Sequence, residues 1–105
     1  MRLTPQQQSA LRAALHRHFG PAARLWIFGS RVDDKARGGD FDVLVQTDEA
    51  DATRLVDAKL EFLADLHATP EFEDERIDVV LMSTVLSPQP RPIQRAALDH
   101  GVELI

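Results

Sequence analysis

Cysteine is absent from the 105 residues of the chain. Without it there is no disulfide, no thiolate metal site and no cysteine nucleophile. The sequence also lacks any apolar run close to the roughly 20 residues of a membrane-spanning helix. Its first residues, Met1 to Gln6, lack the apolar centre of a secretion signal. These absences predict a cytoplasmic protein without a membrane segment.

Positive charge is scarce as well. Twelve lysine and arginine residues stand against 17 aspartate and glutamate residues, which gives a formal net charge of −5. Tight binding to a long nucleic acid requires a basic face that displaces counterions. The basic residues are scattered, apart from a short group of Arg31, Lys35 and Arg37. We therefore expect no long nucleic-acid partner, whereas a small anionic ligand beside that group is compatible with the sequence.

The length is that of one domain, because about 100–150 residues is the commonest domain size. We assign residues 1–105 to a single domain. Apolar periodicity and turn residues predict its elements. They are a helix that begins after Thr4 and ends at Gly20-Pro21, strands over Arg24–Phe28 and Phe41–Val45, a helix from Asp48 or Asp51 to about Ala68, a strand over Ile77–Met82, and a helix over Pro92–His100 that stops at Gly101. Val102–Ile105 is a candidate edge strand.

The connections predict how the strands pair. A short segment joins the first two strands, so we expect them to be antiparallel. A helix joins the second and third strands, which favours a parallel pair with a right-handed crossover. The expected fold is α/β (α+β): a small mixed β-sheet with helices packed on it, in the order α-β-β-α-β-α. The expected inward-facing helix residues are Leu11, Ala14, Leu15, Leu55, Phe62, Leu63 and Leu66.

Two aspartates open the second predicted strand. Asp40 and Asp42 flank Phe41, and alternate side chains of a strand point to the same face. Both carboxylates should therefore project together while Phe41 turns into the core. Convergent carboxylates supply the hard oxygen ligands that a divalent cation requires. The alternative interpretation is that Asp40 only follows a glycine turn and that Asp42 is a charge at the edge of the sheet.

A third acid, Asp78, lies near the start of the third predicted strand. If the second and third strands are parallel neighbours, Asp78 lies beside Asp40 and Asp42. An acid in an apolar strand costs stability unless it is exposed or paired, and clustered carboxylates repel one another. Bound metal ions would remove both problems. The alternative is a solvated residue that follows the acidic, solvent-facing loop of Glu71, Glu73, Asp74 and Glu75.

The first predicted strand ends at Gly29-Ser30, on the same edge of the sheet. A glycine lets the backbone approach a ligand closely. If the chain turns helical after Ser30, free backbone N–H groups and the Ser30 hydroxyl would face a phosphate. The alternative is a plain turn. The four histidines carry no pattern, and we expect all of them to be ordinary surface residues.

Three segments taken together carry a resemblance. They are Gly29-Ser30-Arg31, then Gly38-Gly39-Asp40-Phe41-Asp42, then Ile77-Asp78-Val79. This set resembles the minimal nucleotidyltransferase family of the DNA polymerase β superfamily over roughly residues 20–82. The resemblance implies a polymerase β-like nucleotidyltransferase fold. One departure is Val32-Asp33-Asp34, where many members of the family carry Ala-Arg-Gly.

The resemblance also implies catalytic roles for the three acids. Asp40 and Asp42 would hold two Mg²⁺ ions, whose shells are completed by the phosphates of a nucleotide. Asp78 would ligate the ion that activates the attacking hydroxyl, and is the candidate base. Two metal ions can stabilise the attacking and leaving oxygens of a displacement at phosphorus.

The nucleotide-binding residues implied by the resemblance come from the segment after the first strand. Gly29 and Ser30 would bind the β- and γ-phosphates of a nucleoside triphosphate, with ATP the expected one. Arg31, Lys35 and Arg37 would neutralise the triphosphate, or else remain solvated loop charges. The reaction would transfer a nucleoside monophosphate to a hydroxyl and release pyrophosphate.

Three functions remain open from the sequence. Members of the resembled family often pair, as antitoxins, with a small helical HEPN-type toxin, which would supply the acceptor hydroxyl here. A catalytically silent binding module that neutralises such a partner by contact is the alternative. An antibiotic-modifying transferase is disfavoured, because such enzymes usually need additional chain for the acceptor. Self-association into a homo-oligomer is left open.

Overall fold

A computed structural model of the chain describes residues 3–29, 41–86 and 89–104. Within these ranges the chain forms three helices and four strands. In order they are α1 (Pro5–Phe19), β1 (Arg24–Phe28), β2 (Phe41–Thr47), α2 (Ala52–His67), β3 (Ile77–Ser83), α3 (Pro92–His100) and β4 (Val102–Leu104). The expected small mixed sheet with packed helices is present. The elements follow the order α-β-β-α-β-α, and β4 is added at the end. The sequence indicated this last strand only as a candidate.

The four strands form one sheet in the order β3-β2-β1-β4. The pairs β1·β2 and β1·β4 are antiparallel, whereas β2 and β3 are parallel. Both strand directions inferred from the connections are therefore confirmed. Among the described residues, no helix is both long enough and apolar enough to cross a membrane.

Strands β2 and β3 both run past their predicted ends, by the polar residues Gln46-Thr47 and Ser83. Hydrogen bonds explain the difference. The Thr84 N–H donates to the Thr47 carbonyl at 2.9 Å, and the Ser83 hydroxyl donates to the Glu49 carbonyl at 2.6 Å. These bonds compensate the burial of Thr47 and Ser83, so the pairing continues where the apolar pattern stops.

Side-chain caps fix where α1 and α2 begin. The Gln7 N–H donates to the Thr4 hydroxyl, and the Thr4 N–H donates to the Gln7 side chain, both at 3.0 Å. This reciprocal pair is the capping box that Thr4-Pro5-Gln6-Gln7 predicts. Of the two candidates for α2, Asp51 is the cap, since its carboxylate accepts from the backbone of Thr53 and Arg54.

The main core lies between one face of the sheet and the helices α1 and α2. All but one of the predicted inward-facing helix residues are buried, and Leu63 packs against the core while partly buried. The sheet contributes Leu25, Ile27, Phe41, Val43, Val45, Ile77 and Val79. The prediction that Phe41 turns inward is confirmed, because its side chain is fully buried there.

The opposite face of the sheet carries a smaller apolar cluster. Trp26, Leu44 and Met82 pack there against Ala97 of α3, with Phe28, Val80 and Leu98 at the margin. Because side chains alternate along a strand, Asp42 shares this face with Leu44, and Asp78 shares it with Val80. The acids therefore lie beside the smaller cluster and not in the main core.

The acidic loop before β3 is less exposed to solvent than the sequence predicts. Phe72, in the middle of the acids, is fully buried, and its ring meets Phe41 edge to face with centroids 5.2 Å apart. Glu71 and Glu75 are consequently half-buried, while Glu73 and Asp74 are exposed as expected. The loop is a series of turns in which Phe72 packs into the core.

The prediction for the histidines is wrong for His18, which joins α1 to α2. Only 16% of its side chain is exposed, its Nε2 lies 2.9 Å from an oxygen of Asp65, and its Nδ1 lies 3.8 Å from Glu61. Arg17 pairs with the same Asp65 oxygen. The hydrogen bond with His18 is the main reason that the pKa of Asp65 lies below its ordinary value. Burial opposes this effect, and Arg17 adds to it.

Replacing Asp65 should therefore weaken the fold in a pH-dependent way. At pH 7 we expect Asp65→Asn to lower the free energy of unfolding by up to about 1 kcal/mol, as for partly exposed ion pairs. The pKa of Asp65 is lower in the folded state than in the unfolded state, where it is about 3.9. This difference stabilises the fold at every pH above about 3.9. That stabilisation disappears as the pH falls through the folded-state pKa. The difference between variant and wild type should thus vanish in acid.

Urea unfolding of both proteins between pH 7 and pH 3 checks this prediction. Asp57→Asn, which changes an exposed aspartate of the same helix, serves as the control and should differ little from wild type at any pH. A difference for Asp65→Asn that stays constant or grows towards pH 3 would contradict the ion-pair account.

Candidate functional site

Two of the three predicted acids lie side by side on neighbouring strands. In the parallel pair β2·β3, Asp42 is the register partner of Asp78. On the other side of β2, Asp42 is the register partner of Phe28 in β1. Neighbouring strands are roughly 4.7–4.9 Å apart, and register partners share a face. The adjacency of Asp42 and Asp78 predicted from the crossover is therefore present.

The pair lies at the end of the sheet where β2 and β3 begin and β1 ends. Asp42 and Asp78 are each the second residue of their strand. Asp42 is half-buried and Asp78 is exposed. Exposure removes the desolvation cost of a charge in the apolar strand β3. It also leaves the outer side of the pair accessible to a ligand.

Gly29 follows β1 at the same end of the sheet and has a φ of +75°. Residues with a side chain rarely adopt this conformation. A Cβ atom built on Gly29 would lie 2.3 Å from Oδ2 and 3.2 Å from Cγ of Asp42. The carboxylate of Asp42 therefore occupies the space that a side chain at residue 29 would need. The close approach seen at this glycine is to Asp42, and the approach to a ligand stays a prediction.

Five further residues predicted for the site lie outside the described residues. They are Ser30, Arg31, Lys35, Arg37 and Asp40. Their assignments stay predictions from the sequence. The described part of the site consists of Gly29, Asp42 and Asp78.

The chemistry of these residues fits a divalent cation such as Mg²⁺. Carboxylate oxygens are the hard ligands that Mg²⁺ prefers, and this ion usually binds through one or two carboxylates together with phosphate oxygens and water. Asp42 and Asp78 provide two carboxylates in register, and the Asp42 carboxylate lies against Gly29. No group of three or more potential metal ligands occurs within the described residues.

A cavity of about 290 Å³ lies at the other end of β2, away from the acids. The ends of α1 and α2 enclose it, and its lining residues are His18, Phe19, Thr47, Glu49, Arg54, Leu55, Asp57, Ala58 and Glu61. It contains none of the residues predicted to bind nucleotide or metal. The acids and Gly29 form an open edge of the sheet instead, and the sequence carried no signal for the cavity.

No protein-family model matches this sequence, and no curated protein matches it either. Three features of the chain itself therefore indicate a functional site. They are the register of the acids, the approach of the Asp42 carboxylate to Gly29, and the motifs in the sequence.

Proposed function

We propose that this protein is a Mg²⁺-dependent nucleotidyltransferase of the polymerase β-like class. It transfers a nucleoside monophosphate, expected to be AMP from ATP, to a hydroxyl group of a partner protein in the cytoplasm. The observation that supports this most is the meeting of Gly29, Asp42 and Asp78 at one end of the sheet. The motif resemblance from the sequence adds the reaction class.

The proposal gives each acid a role in the reaction. Bound Mg²⁺ would stabilise the attacking and leaving oxygens of an in-line displacement. Asp42, together with Asp40, would hold the ions against the phosphates next to Gly29. Asp78, which is exposed on the outer strand β3, would face the incoming hydroxyl and accept its proton. A bond forms between the acceptor oxygen and the α-phosphorus, and the bond to pyrophosphate breaks.

The proposed acceptor is a small helical protein of the HEPN type, as in toxin–antitoxin pairs of the resembled family. The net charge of −5 supports a protein acceptor over a long nucleic acid, which would be repelled. The same fold could neutralise that partner by contact alone. The experiment below separates the two functions.

The test is a transfer reaction with the purified protein, ATP labelled at the α-phosphate, Mg²⁺ and the protein encoded by the neighbouring gene. We expect label on the partner protein, and we expect it to disappear with a chelator or with Asp40→Asn/Asp42→Asn. Asp57→Asn, an exposed change on α2, should label the partner as wild type does. No Mg²⁺-dependent label on any protein, together with undiminished partner binding by the double variant, would favour the silent binding module.

A further inference from the structure

Gly101 ends α3, as predicted, but not for the usual conformational reason. Glycines that stop helices commonly adopt a left-handed conformation. Gly101 has a φ of −81° and a ψ of 170°, which is extended backbone open to any residue, and its N–H donates to the Ala97 carbonyl at 2.8 Å. Conformation therefore does not explain a glycine at this position.

Close packing explains it instead. A Cβ atom built on Gly101 would lie 2.4 Å from the carbonyl oxygen of Ala97, 2.9 Å from the carbonyl oxygen of Ile27 and 3.3 Å from Cβ of Phe28. The two closest atoms belong to the backbone, so no rotation of a side chain can relieve the overlap. The junction between α3 and β4 can lie this close to the end of β1 only because residue 101 has no side chain.

The end of β1 is where the candidate site begins. Phe28 is the register partner of Asp42, and the next residue, Gly29, is the one that the Asp42 carboxylate approaches. The residue after Gly101, Val102, is the register partner of Ile27. A Cβ atom at residue 101 would thus meet the backbone of Ile27 and the Cβ atom of Phe28, the two residues that lead directly into the site.

We infer that Gly101 is a positioning residue for the site. It lets the α3–β4 junction lie against the end of β1, and so holds Gly29 beside the Asp42 carboxylate in the geometry that binds Mg²⁺ and nucleotide. The consequence for nucleotide binding rests on the proposed function. The effect on the positions of Gly29 and Asp42 does not.

Hydrogen bonds hold α3 and β4, the two elements that Gly101 joins. A larger residue at position 101 should therefore displace the end of β1. The buried Gln94 side chain of α3 donates to the Leu81 carbonyl of β3 at 2.9 Å. The Glu103 carboxylate of β4 accepts two hydrogen bonds from Arg24, at 2.7 and 2.8 Å. Arg24 begins β1, so β1 and β4 are joined at that end. We therefore expect the displacement at the opposite end of β1, next to Gly29.

The chain offers a matched control for this displacement. Gly20 has a φ of +92°, and a Cβ atom built on it meets nothing within 4 Å. Gly20→Ala should destabilise the fold through its backbone conformation without touching the site. Gly101→Ala should act through contact with β1. Two variants that both lose stability can therefore be compared for their effects on Gly29 and Asp42.

The experiment records the backbone amide spectra of both full-length variants by NMR and measures ATP binding with and without Mg²⁺. Gly101→Ala should shift the amide resonances of Gly29 and Asp42. It should also weaken Mg²⁺-dependent ATP binding by about tenfold or more, the scale for groups that orient metal ligands. Gly20→Ala should leave both readouts as in wild type. Unmoved Gly29 and Asp42 resonances in Gly101→Ala would overturn the inference.

A wild-type measurement decides the question if Gly101→Ala does not fold. Coupling between two sites is reciprocal, so ATP with Mg²⁺ should slow hydrogen exchange at the Gly101 amide. Unchanged exchange at Gly101 while the Gly29 resonance moves would overturn the inference. A wild type that binds no ATP would instead contradict the proposed function. In that case the amide shifts of a folded Gly101→Ala variant decide the positioning role, because they need no nucleotide.

Discussion

Asp42→Asn should abolish Mg²⁺-dependent ATP binding and nucleotide transfer together, whereas Asp78→Asn should abolish transfer and leave most of the ATP binding intact. The two acids are register partners, but their surroundings differ. Asp42 is half-buried against Gly29, on the side where the phosphates would lie. Asp78 is exposed on the outer strand β3 and would serve the incoming hydroxyl.

The expected magnitudes follow from the loss of a metal ligand. Changing a group that only supports a ligand typically costs 10–100-fold, so losing the ligand itself should lower the transfer rate by at least about 100-fold. Initial rates of transfer and calorimetric titration with ATP measure the two effects separately. Asp74→Asn, an exposed aspartate in the loop before β3, is the matched control. Transfer rates within about twofold of wild type in both site variants would contradict the assignment.

Phe72→Ala should cause the largest loss of stability, about 3–5 kcal/mol, which is typical of removing a buried aromatic side chain. Phe72 is fully buried, and its ring packs against Phe41. A domain of this size has a total stability of roughly 5–15 kcal/mol, so the loss would remove most of the stability at the lower end of that range. Because Phe41 immediately precedes Asp42, a loosened Phe41 should also disturb the site.

Urea denaturation of Phe72→Ala and Phe72→Leu measures this effect. Leucine keeps much of the apolar volume, so the loss should be clearly smaller than for alanine. The exposed neighbour Glu73 provides the control, and Glu73→Ala should change the stability by no more than about 0.5 kcal/mol. A loss below about 1 kcal/mol for Phe72→Ala would mean that the acidic loop is not fastened to the core.

The sequence predicted the parts of the fold that local signals define. Strand β1 and helix α3 have the predicted bounds, because Gly29 and Gly101 stop them. The adjacency of Asp42 and Asp78 followed from the connection between their strands, since a helical crossover favours a parallel pair. These inferences need only the order of the elements and the side-chain period of a strand.

The features that were missed depend on contacts between distant parts of the chain. Phe72 is a single aromatic residue among acids, so it gives no periodic signal, and its burial depends on Phe41. His18 contacts Asp65 only because α1 packs against α2 at this point. The position of Gly101 was predicted, but the reason for a glycine there is the approach of β1, which no local pattern contains.

The most direct test of the central claim asks where a metal–nucleotide complex binds. Mn²⁺ can replace Mg²⁺ with oxygen ligands, and its paramagnetism broadens the NMR signals of nearby amides. On addition of Mn²⁺ and ATP, the amides of Gly29, Asp42 and Asp78 should broaden first, while Thr47 and Leu55 beside the distant cavity stay sharp. Broadening confined to Thr47 and Leu55, or none at saturating ATP, would contradict a nucleotide site at the Gly29–Asp42–Asp78 end of the sheet.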